Sequence, residues 1–180
     1  MTFDIVGTYK FRDANVLAHM NTLTYNPDTN LLYTTNAMID GHRITTIDAD
    51  TMSIGNTITI PERVFNLAYD KKTNQFMSIV PIDATMRRIN YYTSQFQLVQ
   101  SKDIDANYDD YNNNGAFAND GKTIFATLST VITVDKTGNV TKIASFPKNL
   151  EIEDMDMRHN IMYAAVNMNH KVFIYTMLNY

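Results

Sequence analysis

At 180 residues, 44% apolar and 19% charged, with net charge −4 and no cysteine, the chain has the length of one all-β domain burying roughly 70% of its unfolded surface. The missing cysteine excludes disulfides and thiolate metal sites. The acidic balance, with basic residues gathered only as the pairs Lys71-Lys72 and Arg87-Arg88, leaves no electrostatic footprint for nucleic acid. No apolar run approaches the roughly 20 residues of a membrane-spanning helix. Met1 is followed by Thr2, Phe3 and Asp4 rather than by the basic and then apolar run of a signal peptide. Neither membrane insertion nor a leader is expected, and the compartment stays open.

The first strand-like segment, Phe3 to Phe11, has no neighbour of its own. Next comes Leu23-Thr24-Tyr25, then the turn formers Asn26 to Asn30, then Leu31-Leu32-Tyr33. A second pair of strands follows, Arg43 to Asp48 and Ile54 to Ile60, joined by Ala49-Asp50-Thr51-Met52. Forty-four positions after Tyr25 stands Tyr69, and Thr29 and Asn30 fall on Thr73 and Asn74 without a gap. Asp103 to Asn114, rich in Asp, Asn and Tyr, reads as an enlarged loop. A third unit runs from Phe117 to Phe125, with Val131 to Asp135 and Val140 to Phe146 behind it. A fourth runs from Met155 to Tyr163, with strands near Ile152–Met157, Ile161–Val166 and Lys171–Met177.

In all four units two bulky residues eight apart bracket a polar turn. Four strands per unit and a period near 44 residues are the pattern of a propeller blade. The expected fold is all-β: a β-propeller of about four four-stranded blades forming one domain, at 19–62, 63–110, 111–148 and 149–180. The last blade lacks an outer strand, and the segment within 1–12 would complete it. That pairing hides two edges that otherwise invite association. The other reading is a piece of a larger ring, so oligomeric state is open.

Two segments, Leu31-Leu32-Tyr33-Thr34-Thr35-Asn36 and Ile44-Thr45-Thr46-Ile47-Asp48-Ala49-Asp50-Thr51, resemble the repeats of YVTN and gluconolactonase-like propellers. The resemblance implies the fold. Such families include metal-dependent lactonases, lyases, surface adhesins and phage tail receptor-binding modules, so it does not choose a function. The Asn-, Tyr- and Thr-rich, cysteine-free composition is similar to that of phage tail proteins from low-GC hosts, which implies a virion or extracellular surface.

Blade topology places the loop leading into each first strand and the loop joining second to third strands on one face. Leading loops offer His19, Asn21, Glu62, Arg63, the stretch Tyr111 to Asn114, and Glu151 to Asp154. The others offer Asp40, His42, Arg43, Asp83, Arg87, Arg88, Asn167, Asn169 and His170. From these, His42, Arg43, Arg87, Asn114, Glu153 and His170 are the expected ligand-binding residues. Amides and bidentate Arg match hydroxyl and anionic groups, so the expected partner is a polar surface ligand, a glycan or a protein. The alternative is that these loops are polar because they are solvated.

Gluconolactonase-like enzymes hold a divalent ion with one Glu, two Asn and one Asp. Glu153 or Asp154 with Asn114, Asn66 and Asn21 could imitate that oxygen-rich set. However, Asn21 lies four before Tyr25 and Asn66 three before Tyr69, an odd offset that turns them to opposite strand faces. The four histidines, 19, 42, 159 and 170, show no zinc spacing. Ser78, Ser94 and Ser129 lack the glycine-flanked turn of an exposed nucleophile. No cofactor, metal or catalytic residue is therefore assigned. In the aromatic stretch Tyr91-Tyr92, one ring is expected in the core and its neighbour outward, as a packing partner or a stacking platform.

Overall fold

The structure is a computed structural model that describes residues 8, 10–11, 17, 20–36, 41–83, 85–105, 113–119, 122–127, 129–135, 137–147, 149–158, 161–169 and 171–178. Fifteen strands lie among them, grouped in four antiparallel sheets of consecutive strands. The first sheet holds β1 (Thr24–Asn26), β2 (Leu31–Thr35), β3 (Arg43–Asp48) and β4 (Ile54–Thr59). The second holds β5 (Ala68–Asp70), β6 (Gln75–Pro81), β7 (Met86–Thr93) and β8 (Leu98–Asp105). The third holds β9 (Asn113–Asn119), β10 (Lys122–Thr127), β11 (Thr130–Asp135) and β12 (Val140–Ser145). The fourth holds β13 (Glu151–Arg158), β14 (Ile161–Met168) and β15 (Lys171–Leu178). No helix among the described residues is long and apolar enough to cross a membrane.

The repeated Tyr-to-Asn spacing has a local cause. Asn30 and Asn74 turn the chain between first and second strands with φ of 55° and 53°, a region Asn tolerates better than other side-chain-bearing residues. Each offers its Oδ1 to the tyrosine five residues earlier: Tyr25 Oη at 3.0 Å and Tyr69 Oη at 3.0 Å. The Ile-Asp-x-x-Thr turn works similarly between third and fourth strands. Asp48 Oδ1 accepts from the Thr51 backbone N–H at 2.7 Å and from its hydroxyl at 2.8 Å. Asp135 accepts from both groups of Thr137 and from the Asn139 N–H. Such bonds favour the ionised form, and both carboxyls lie below the usual carboxylate range.

The sheets stack face to face through three apolar layers. Tyr33, Ile44, Val64, Leu67, Phe76, Tyr92 and Phe96 fill the space between the first and second sheets. Met77, Ile79, Ile89 and Ile104 meet Phe125, Ile132 and Val134 of the third. Val131 meets Leu150, Ile152, Met155, Met162 and Val166 of the fourth. Middle strands are covered on both sides, so β3, β6 and β11 are buried almost continuously instead of alternately. For the same reason Tyr91 does not face outward as its alternation with Tyr92 leads one to expect. Tyr92 packs toward the first sheet, and Tyr91, half-buried, against the layer shared with the third.

First strands adjoin in the order β1, β5, β9, β13. Thr22 and Thr24 both donate their hydroxyls to the Leu67 carbonyl, which ties the inner edges of the first two sheets. The Leu23 N–H, just before β1, donates to Asp154 Oδ2 of β13 at 3.1 Å. Asp154 follows a register shift in β13 between Ile152 and Asp154. β15 is the last described strand of its sheet, and Lys171 to Thr176 are exposed, unlike the corresponding strands of the other sheets. The segment expected to pair there, Phe3 to Phe11, lies largely outside the described residues. The enlarged loop is shorter than expected, because β8 continues to Asp105 and β9 begins at Asn113.

Candidate functional site

Between the first and second sheets, outward of their shared apolar layer, the structure opens a pocket of about 440 Å³. It is lined by Glu62, Arg63, Phe65, Val80, Pro81, Arg88, Asn90, Leu98 and Ser101. The volume falls within the usual range of about 300–1,000 Å³ for small-molecule sites.

One wall is the segment from Ile60 to Leu67, which connects the two sheets. Two backbone bonds and two side-chain bonds fix it to the first sheet. Ile60 N–H donates to the His42 carbonyl at 3.0 Å and Val64 N–H to the Gly41 carbonyl. Thr35 Oγ1 donates to the Phe65 carbonyl at 2.9 Å. His42 Nδ1 lies 3.1 Å from the Glu62 carbonyl oxygen. Gly41, at φ 69°, leaves room for the Arg63 side chain, whose Nε would stand 3.4 Å from a Cβ built there. The Arg63 guanidinium then covers the Phe65 ring at 4.8 Å from its centroid.

The other wall is one face of the second sheet. Pairing sets Val80, Arg88 and Asp103 in one row across it, and Ser78, Asn90 and Ser101 in the next. Ser101 donates its hydroxyl to Asn90 Oδ1 at 2.8 Å, and Asn66 Oδ1 accepts from the Ile79 N–H at 3.0 Å. Arg88 grips Asp103 with two bonds, Nε to Oδ1 at 2.6 Å and Nη2 to Oδ2 at 2.9 Å. That contact holds the Asp103 carboxyl below its ordinary range.

Two buried polar atoms of the connecting segment have no hydrogen-bond partner: Glu62 Oε2 and Asn66 Nδ2. Burial first, and then the Glu62 charge, push the Tyr92 phenol well above its ordinary value. Uncompensated buried polar atoms are costly and uncommon.

Of the residues expected to bind a ligand, His42 reaches this site through Glu62, and Arg43 begins β3 with its side chain exposed. Arg87 lies on the opposite face of β7 from Arg88. It is 1% exposed, and its Nη1 donates to the Asp83 and Met86 carbonyls at 2.9 and 3.1 Å, so it holds a loop. Glu153 is half-buried on β13, and Asn114 belongs to β9. His170 is outside the described residues, as are His19, Asp40 and Tyr111. Among the described residues no group of three or more His, Asp or Glu is placed to hold a metal ion.

Phe65, Asn90, Leu98 and Ser101 were not singled out from the sequence. Their signal was available only as alternation: Arg88 and Asn90 on one strand against Ser101 and Asp103 on the next.

No family model matches the chain, and no curated protein matches it. Solved structures do. Hydrazine synthase from Kuenenia stuttgartiensis superposes with a TM-score of 0.55 at 13% identity, covering 97% of this chain and 49% of that one. A streptogramin B lyase gives 0.54 at 11% identity, covering 88% and 54%. The WD40 repeats of RRP9 give 0.51 at 11% identity, covering 88% and 51%.

The chain is a β-propeller.

It spans about half the length of these three structures. At such identities the likeness shows the fold alone, and the propellers concerned include both a lyase and WD40 repeats. The pocket of this propeller lies between its first two blades, beside the layer that joins them.

Proposed function

We propose that this propeller is a non-enzymatic binding module that holds a polar ligand in the pocket between its first two blades. The observation that carries the reading is the lining itself. A carboxylate, two guanidinium groups, an amide and a hydroxyl stand beside Phe65, Val80, Pro81 and Leu98 in one concavity, the mixture typical of small-molecule recognition. The lining hydroxyl, Ser101, donates to an amide oxygen, which cannot take its proton as the base of a nucleophile would. A virion or bacterial surface is the setting that the composition favours.

A thermal-shift screen tests the proposal, using sugars, amino acids, nucleotides and short peptides against the wild type, Asn90→Leu and Arg88→Ala. A ligand that binds only the folded state raises the melting temperature by mass action. The expected result is a ligand that stabilises the wild type and loses at least about tenfold in affinity, roughly 1.4 kcal/mol, in both variants. Stabilisation unchanged in both variants, or by no compound at all, would overturn it.

A further inference from the structure

The pocket lining leaves two opposite charges unanswered. Arg88 is taken by Asp103, through Nε at 2.6 Å and Nη2 at 2.9 Å, and the Ser101 hydroxyl by Asn90 Oδ1. Glu62 and Arg63, which line the same pocket, have no such partner. Glu62 is half-buried, and its buried Oε2 accepts no hydrogen bond. The Arg63 guanidinium lies over the Phe65 ring, a contact through its flat face that leaves the N–H donors of its edge free. Though adjacent in the chain, the two do not pair, and among the described residues neither forms an ion pair.

A partly buried charge without a partner is costly, so the ligand that completes this lining carries both signs. A cation alone leaves Arg63 unanswered, an anion alone is opposed by Glu62, and a neutral molecule answers neither. Because the two charges come from neighbouring residues, the charges of the ligand stand close together as well. The ammonium and carboxylate of an α-amino acid are so placed, and a planar guanidinium matches the carboxylate with two bonds. Val80 and Leu98 on the facing wall, with Pro81, give an apolar surface for a side chain.

We infer that the pocket takes a free α-amino acid with an apolar side chain, its ammonium at Glu62 and its carboxylate on Arg63. This rests on reading the pocket as a binding site.

Calorimetric titration with leucine, methionine and phenylalanine, each beside its deaminated acid and its decarboxylated amine, tests it. At least one amino acid is expected to bind at least about tenfold more tightly than both of its analogues, each of which leaves one charge of the protein unpaired. Glu62→Gln should weaken that amino acid by about tenfold without weakening its deaminated acid, which has no ammonium to lose. Arg63→Gln should weaken it comparably without weakening the decarboxylated amine. Losses so divided measure each contact separately, and a general loosening of the pocket does not produce them.

An analogue that binds as tightly as its amino acid, or variants that weaken all three ligands alike, would overturn the inference. If no amino acid binds while another ligand stabilises the protein through Asn90 and Arg88, the inference falls and the binding-module reading stands. If nothing binds, both fall.

Discussion

At the scale of single residues, the repeat is a record of backbone geometry. Asn74 turns the chain at φ 53° and holds the Tyr69 hydroxyl, which also lies 2.9 Å from Asp28 Oδ2 of the first blade. Burial, and then the Asp28 contact, raise the Tyr69 phenol to about 12. Asn74→Gly keeps the turn and loses the bond, at about 1 kcal/mol. Asn74→Ala adds the left-handed penalty of about 1–2 kcal/mol. Urea denaturation should therefore rank wild type above Gly and Gly above Ala, and equal stabilities for the two variants would refute the account. This much was legible in advance, because a turn needing positive φ leaves Asn or Gly in the sequence. What Arg87 and Arg88 do was not legible. As neighbours on a strand they face opposite ways, one buried against carbonyls and one lining the pocket.

At the scale of strands and sheets, alternation and turn chemistry disclosed nearly every strand, and β3, β6 and β14 begin within a residue or two of where their apolar runs do. Cross-strand register was hidden. Asn90 meets Ser78 and Ser101 only because the turns on either side fix which residues pair. The pocket wall is made of such pairs, which is why most of its residues escaped sequence reading. Close packing within a blade is testable at Gly55, where a Cβ would lie 2.5 Å from Thr46 Oγ1. That hydroxyl accepts from the Asn56 N–H at 2.8 Å and so has little freedom to move away. Gly55→Ala should cost about 1–3 kcal/mol by overpacking, read from the same denaturation curves; a neutral result would show that the edge strand yields.

At the scale of the whole molecule, the joint between the fourth and first blades runs through Asp154. Burial raises its carboxyl to about 7, the Asp156 charge adds to this, and the Met155 and Leu23 N–H groups oppose it. A folded-state pKa above the ordinary carboxyl value of 3.8 means that its contribution is fully present below about 3.8 and is lost as pH rises through about 7. Asp48, Asp83 and Asp135 are shifted down, so their contribution is present above the ordinary carboxylate range and lost as pH falls below it. Asp154→Asn keeps an acceptor for Leu23 and removes the titration. Its melting temperature, relative to wild type, should be higher at pH 8 than at pH 5, and a constant difference would contradict the assignment.

The apolar layers between successive sheets hold the two walls of the pocket in place, and the claim that this pocket is where the molecule meets its ligand can be read in one spectrum. Backbone amide shifts should be recorded by NMR before and after saturation with the tightest ligand from the screen. The account predicts changes concentrated at 62–65, 80–81, 88–90 and 98–101. Changes concentrated at 21–23 and 151–154, around the inner strands, would place the site over the ring's centre and contradict it.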